Sequence, residues 1–323
     1  MPTNKILYVI LSLSVVFIAL RANAQESGIS RNDNGKDCFR DGLQCIVDKN
    51  AIEKRLKAYI ASRDAHVGVA VIVNGKDTVG VNGSEYFPMM SVFKFPQSLA
   101  VADFCLKNNV GLSDSVKIDA DEIKENTWSP MREKYGVRNL KLPLSELLDY
   151  TLQQSDNNAC DILFRFIGGT SVADSLMKSS GFDDIQISQT EDDMHREPDL
   201  CYLNRTTPME MARLFDRFYR QEMRHDSQIH EFIAASMMSC CTGLDRLPAP
   251  LKHSDAQIGH KTGTGDMNSQ GRIMAINDAG YVFLSNNTGY AIAVFVADSA
   301  YGMAETSKII ADISDIVFMA LSE

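Results

Sequence analysis

Ser91 and Lys94 stand three residues apart in YFPMMSVFKFPQSLAV, an otherwise apolar stretch over residues 86–101. Residues three apart on a helix are neighbours, so this spacing brings an amine beside a hydroxyl. A serine hydroxyl is a weak nucleophile until a base takes its proton, and a lysine serves as that base when it is desolvated and near other cations that lower its pKa. The bland alternative is a lysine at the rim of a buried helix with its ammonium in water. Spacing alone does not decide, because Ser175 and Lys178 repeat it in a stretch that an exposed amphipathic helix explains. What sets the first pair apart is its company. Ser155-Asp156-Asn157 falls where one helical pattern ends and another begins, and Lys261-Thr262-Gly263 falls inside a β-rich run. Lys261 would supply the second positive charge near Lys94. The plain reading of the serine-aspartate-asparagine stretch is a helix N-cap.

These groups must be positioned by elements the sequence also outlines. VDKNAIEKRLKAYIAS has helical spacing at Ile52, Leu56 and Ile60, and two β-rich runs follow around Asn74-Gly75, a strong hairpin signal. Near the other end, IGHKTGTG, GRIMAIN, GYVFLSN and GYAIAVFVAD are short β-rich runs, and a helix over about 304–321 closes the chain. Between these blocks the pattern is helical, as where Leu144, Leu147, Leu148, Thr151 and Leu152 share one face. The expected fold class is α/β (α+β): an antiparallel sheet built from both chain ends and flanked by helices, with an all-helical region inserted. The expected division is 48–85 with 241–323 as an α/β domain and 86–240 as a helical domain, with the site between them.

S-x-x-K, S-D-N and K-T-G in this order form the signature of class A β-lactamases and penicillin-binding proteins. The chain resembles a class A serine β-lactamase over essentially all of its length after residue 24, and PMMSVFK, TWSPM and SQTEDDMH resemble the extended-spectrum, cephalosporinase-leaning branch. The resemblance implies hydrolysis of penicillins and cephalosporins, oxyimino cephalosporins included, through an acyl-serine intermediate that confers antibiotic resistance. It implies no cofactor, water as co-substrate, small-molecule β-lactams as partners, and a monomer. Ser91 would be the nucleophile and Lys94 its base, and Ser155 would relay a proton to the leaving nitrogen. Asn157 would bind the substrate's side-chain amide, and Thr262 and Thr264 would hold its carboxylate beside Lys261. The backbone N–H groups of Ser91 and Thr264 would form the oxyanion hole, Gly263 would let the strand approach the ligand closely, and Trp128 would wall the mouth.

Two departures from the family pattern stand out. Gln270 occupies a position that often carries a carboxylate-binding arginine, and Arg246 matches the pattern of relatives that supply the charge from elsewhere. The deacylating glutamate has two candidates. Glu197 in REPDL resembles the common loop motif, and Glu191 in TEDDMH resembles the extended-spectrum one. Glu191 stands sixteen residues before Thr207 and Glu197 only ten, and the family spacing favours Glu191, with His195 near the water. Asn204 and Gln189 then replace a charged pair that closes the family's loop, which implies a differently folded loop and a wider site. A penicillin-binding DD-peptidase and a non-catalytic β-lactam sensor are the alternatives.

The chain begins with Lys5, an apolar run from Ile6 to Leu20 and Ala22-Asn23-Ala24, the pattern of a secretory signal peptide cut after Ala24. The run falls short of the roughly 20 residues that a spanning helix needs. Residues 25–47 read as a flexible leader, and the expected compartment is the periplasm. The net charge of −10 becomes more negative when Lys5 and Arg21 leave with the segment. That argues against nucleic acid and anionic membrane as partners, since both reward basic patches. The seven cysteines show no C-x-x-C pair, so a zinc site is not expected. Cys38 and Cys45 are the expected disulfide.

Overall fold

The computed structural model describes residues 48–222 and 227–322. The expected signal peptide, leader and Cys38–Cys45 pair lie outside them. Helix α1 (Lys49–Ile60) starts where Asp48 caps the N–H of Ala51, and it buries Ile52, Leu56 and Ile60, the residues its spacing marks. Strands β1 (His66–Val73) and β2 (Asp77–Val81) pair antiparallel, with Val73 opposite Asp77. The turn between them puts Asn74 at φ 50° and Gly75 at φ 68°, left-handed values that asparagine and glycine tolerate best.

After strand β3 (Phe87–Pro88) a 3₁₀ turn, Met90–Phe93, runs directly into helix α2 (Lys94–Asn108). Then come helix α3 (Pro130–Tyr135), strands β4 (Ser115–Ile118) and β5 (Leu140–Pro143), which pair with each other, and helices α4 (Leu144–Gln153), α5 (Asn157–Ile167) and α6 (Thr170–Ser179). Helix α7 (Glu191–Arg196) and strand β6 (Arg205–Thr206), the partner of β3, precede helices α8 (Pro208–Tyr219) and α9 (Gln228–Met238). Strands β7 (Gln257–Thr264), β8 (Ile273–Phe283) and β9 (Gly289–Ser299) and helix α10 (Met303–Ser322) end the chain. The sheet runs β2-β1-β9-β8-β7 with antiparallel neighbours, so its strands come from both ends of the chain as expected.

Strand side chains alternate between faces. Val69, Val71, Val73, Ile292, Val294 and Val296 join Ile52, Leu56, Ile309 and Ile313 of the terminal helices in one core. Ala70, Ile72, Ala291, Ala293 and Phe295 face the other way, into the core of the helical half. There α2 packs on α4, α5, α6 and α9, and α8 packs directly on β1, β8 and β9. Helix α8, part of the helical run in sequence, thus covers the sheet while its Phe215 and Phe218 also pack on Phe95 of α2. The small Ala residues on this sheet face give it room. From Asp48 onward the chain packs as one compact unit.

Candidate active site

Ser91 sits in the 3₁₀ turn, directly after Met90, whose φ of 46° is a left-handed value on a non-glycine residue. Such strain persists only where surrounding packing over-determines it, and it clusters at functional sites. Ser155, between α4 and α5, has φ 58°. Both unusual backbones belong to the same cluster of side chains. Lys94, the first residue of α2, is 0% exposed, and its Nζ lies 3.0 Å from Ser91 Oγ, 2.6 Å from Asn157 Oδ1, 2.9 Å from the Ser155 carbonyl and 2.7 Å from Glu191 Oε1. Ser91 Oγ is 3.1 Å from the same glutamate oxygen. A charged lysine can only donate and a carboxylate can only accept, so the Ser91 hydroxyl proton is directed at Glu191. The charge in contact with Lys94 is therefore a carboxylate, where the sequence suggested a second cation.

Lys261, also 0% exposed, lies across Ser155: its Nζ donates to Ser155 Oγ at 2.9 Å and to the Thr262 carbonyl at 2.9 Å. Burial lowers its pKa to about 8, and the Lys94 charge pushes the same way against the anions nearby. The S-D-N stretch divides two duties. Asp156 caps α5 by accepting from Ala159 N and also accepts from Met131 N and Ser129 Oγ, while Ser155 and Asn157 face the lysines. Asn157 Nδ2 donates to Thr127 Oγ1 at 2.8 Å.

A cavity of about 650 Å³ opens over these groups, lined by Ser91, Ser155, Asn157, Glu191, Thr262 and Thr264 among others. Trp128 walls it at 57% exposure, its indole N–H donating to the Gln154 carbonyl, and His195 lines it from α7. Gly263 is pressed against the serine turn: a Cβ there would stand 2.5 Å from the Met89 carbonyl oxygen. A small hollow of about 10 Å³ beside Glu191, lined also by Asn157, Asp161 and His195, matches one water molecule.

Arg246 differs from expectation. It is 7% exposed and does not line the cavity; its guanidinium donates to the carbonyls of Gly263 and Asn277 at 2.9 and 3.0 Å and to Thr264 Oγ1 at 2.7 Å. A buried guanidinium needs its donors satisfied, and these backbone carbonyls hold it against β7. Its reach into the cavity is through Thr264. Ser175 and Lys178 lie on α6, where Lys178 pairs with Asp174 in solvent. Glu197 caps the end of α7, is exposed and does not line the cavity.

A family model described as the β-lactamase enzyme family matches residues 51–321. A β-lactamase of Phocaeicola vulgatus is 36% identical over 279 residues, covering 85% of this chain and 86% of that protein. β-Lactamase VEB-1 of Pseudomonas aeruginosa is 34% identical over 84% of this chain and 92% of its own length. The crystal structure of TLA-1 extended-spectrum β-lactamase matches with a TM-score of 0.82 at 36% identity, over 85% of this chain and 99% of that one. A class A β-lactamase from Bacteroides cellulosilyticus DSM 14838 gives 0.81 at 38% identity, over 85% and 98%. The chain belongs to the class A β-lactamase family.

Within that family frame, Asn204 holds the start of the loop carrying Glu191 through uncharged hydrogen bonds. Asn204 Oδ1 accepts from the N–H groups of Ser188 and Gln189 at 2.8 and 2.9 Å, and its Nδ2 donates to the Gln189 carbonyl at 2.9 Å. Sequence reading missed Asp161. Its carboxylate accepts from Glu191 N and Asp192 N, both at 2.8 Å, and so holds the first turn of α7. Burial and the Glu191 charge raise Asp161 to about 7, against those two bonds. Its signal was available, since Asp161 stands four residues after Asn157 on one helix face. Thr242 was also missed; its Oγ1 lies 2.6 Å from Thr262 Oγ1 at the cavity wall.

Proposed function

We propose that this protein opens the β-lactam amide of penicillins and cephalosporins, oxyimino cephalosporins included, and hydrolyses the resulting acyl-serine. The observation that carries the reading is the single cluster in which Ser91 Oγ is held between Lys94 Nζ and Glu191 Oε1, with the Ser155–Lys261 pair beside it. Ser91 loses its proton into the Lys94–Glu191 pair, and its oxygen attacks the lactam carbonyl. The oxyanion forms against the N–H groups of Ser91 and Thr264, donors that cost no reorganisation. As the C–N bond breaks, Ser155 gives its proton to the nitrogen and takes up the proton that left Ser91 by way of Lys94, whose Nζ lies 3.5 Å from Ser155 Oγ. Lys261, Thr262 and Thr264 hold the substrate carboxylate, Thr264 being steadied from behind by Arg246. Asn157 holds the acylamide, and Trp128 covers the open side. Water beside Glu191 and His195 then gives its proton to Glu191 and attacks the ester, and Ser91 departs with a proton.

The N-terminal apolar run supports export, with a mature chain that begins at Gln25 and acts in the periplasm as a monomer. The relatives' names support the bulky-cephalosporin leaning, one being called an extended-spectrum β-lactamase. Purified protein mixed with a chromogenic cephalosporin tests the function: many equivalents of product per protein are expected. One equivalent and a lasting adduct would make it a DD-peptidase or a sensor instead.

A further inference from the structure

The strip of chain that follows α9 lies behind both threonines read above as holders of the carboxylate. Thr242 Oγ1 is 2.6 Å from Thr262 Oγ1, and both residues line the cavity. Gly243 stands at φ 59°, and a Cβ there would come within 2.6 Å of Thr262 Cγ2. The strip therefore presses on the Thr262 methyl through Gly243 and meets its hydroxyl through Thr242, which fixes the side chain of Thr262 from both sides. Arg246 stands in the same relation to Thr264, donating to its Oγ1 at 2.7 Å.

We propose that Thr242 is a positioning residue for the substrate's carboxylate, acting through Thr262, a role that rests on the acyl-serine hydrolysis read above. A guanidinium only donates, so Arg246 leaves the Thr264 proton free to point into the cavity. Thr242 does the same for Thr262 by a different route. Each hydroxyl carries one proton, and in the empty site either of the two oxygens can give it to the other. Once Thr262 turns its own proton to a carboxylate, the 2.6 Å contact lasts only if Thr242 supplies the proton between them. A hydroxyl oxygen that is donating to an anion also becomes the better acceptor. That draws the Thr242 proton to Thr262 in preference to Cys240 Sγ, 3.4 Å away. Thr242 thus strengthens the Thr262 donor, and it does so only for a ligand that is negatively charged at that place.

The test measures kcat and KM of wild type, Thr242→Val and Thr242→Ser on a chromogenic cephalosporin and on its methyl ester. Thr242→Val keeps the shape and loses the hydroxyl, so kcat/KM for the free acid should fall about tenfold. The loss should appear in KM more than in kcat, because the carboxylate is held alike before and during acylation. The ester should change little, and Thr242→Ser should restore the wild-type preference for the acid. A purely structural role would lower acid and ester alike. An unchanged kcat/KM for the acid in Thr242→Val overturns the proposal, as does an equal loss on both substrates or a folded Thr242→Ser that stays with Thr242→Val. Thr242→Ala is read in the same way if the valine variant does not fold. In a Thr262→Val background the change at residue 242 should cost nothing further, and a full additional loss overturns the route through Thr262. Wild type that leaves every β-lactam unopened would sink the functional reading instead. Calorimetric binding of the free acid to Ser91→Ala, with and without Thr242→Val, still decides on Thr242 in that case: about tenfold weaker binding is expected in the double variant, and equal binding overturns the proposal.

Discussion

A fully buried lysine persists as a cation only with partners, and Lys94 has a carboxylate, an amide oxygen, a carbonyl and a hydroxyl around it. Lys94→Ala removes the amine that steadies Ser91 Oγ, and acylation measured by quenched-flow mass analysis should slow by about 10² to 10⁴; an unchanged rate would return Lys94 to a packing role. Lys261 is a cation below about 8 and neutral above it, so kcat/KM for carboxylate-bearing substrates should fall as the pH rises through about 8. A flat profile to pH 10 would contradict that. Ser91, Lys94, Ser155, Asn157 and Lys261 were legible because each sits in a fixed short spacing. Arg246 was legible only as a position: no sequence signal says whether a guanidinium points into a cavity or lies against the back of a strand.

At the scale of an element, the Glu191 loop depends on groups far from it in sequence. Asn204 is fully buried and satisfies three backbone groups of residues 188 and 189. Asn204→Ala leaves them unpaired, which should cost about 1–3 kcal/mol in urea unfolding and slow release of the acyl group more than its formation. Asn204→Asp keeps both accepted bonds but turns a donor toward the Gln189 carbonyl into an acceptor, so it should recover only part of the loss. Equal stability of Asn204→Ala and wild type would show that the loop is closed by other contacts. The loss of the family's charge pair could be read from Asn204 and Gln189 alone. What replaces it could not, because an asparagine's partners are backbone groups that carry no residue identity. Asp161 was hidden for the same reason, since it binds the N–H groups of Glu191 and Asp192.

Across the whole molecule, the site exists because the sheet and the helical half meet at one close approach. Gly263 on β7 lies against the Met89 carbonyl and Met90, and Arg246 and Asn277 tie the strand and the serine turn together from behind. Gly263→Ala must drive the strand away from Ser91, which separates the two N–H groups proposed as oxyanion donors. A drop in kcat of about 10² or more is expected; near-normal kcat would mean the turn can yield. The sheet from both chain ends, the hairpin at Asn74-Gly75 and helix α10 were legible from periodicity and turn residues. Strands β3 to β6 were not, since two to four residues leave no period to read. Nor was the packing of α8 on the sheet, because its amphipathic face fits a sheet as well as a helix.

The cluster's defining feature is that Lys94 joins Ser91, Glu191 and the S-D-N corner, with Lys261 of β7 across Ser155, and Glu191 is the proposed base for water. Glu191→Gln removes the carboxylate that takes the water's proton but leaves Ser91 and Lys94 in place, so acylation should persist while hydrolysis of the ester stalls. Intact-mass spectrometry after mixing with a cephalosporin should show a persistent adduct on Glu191→Gln, none on Ser91→Ala, and rapid turnover without an adduct for Glu197→Gln. A persistent adduct on Glu197→Gln with free turnover by Glu191→Gln would contradict this assignment.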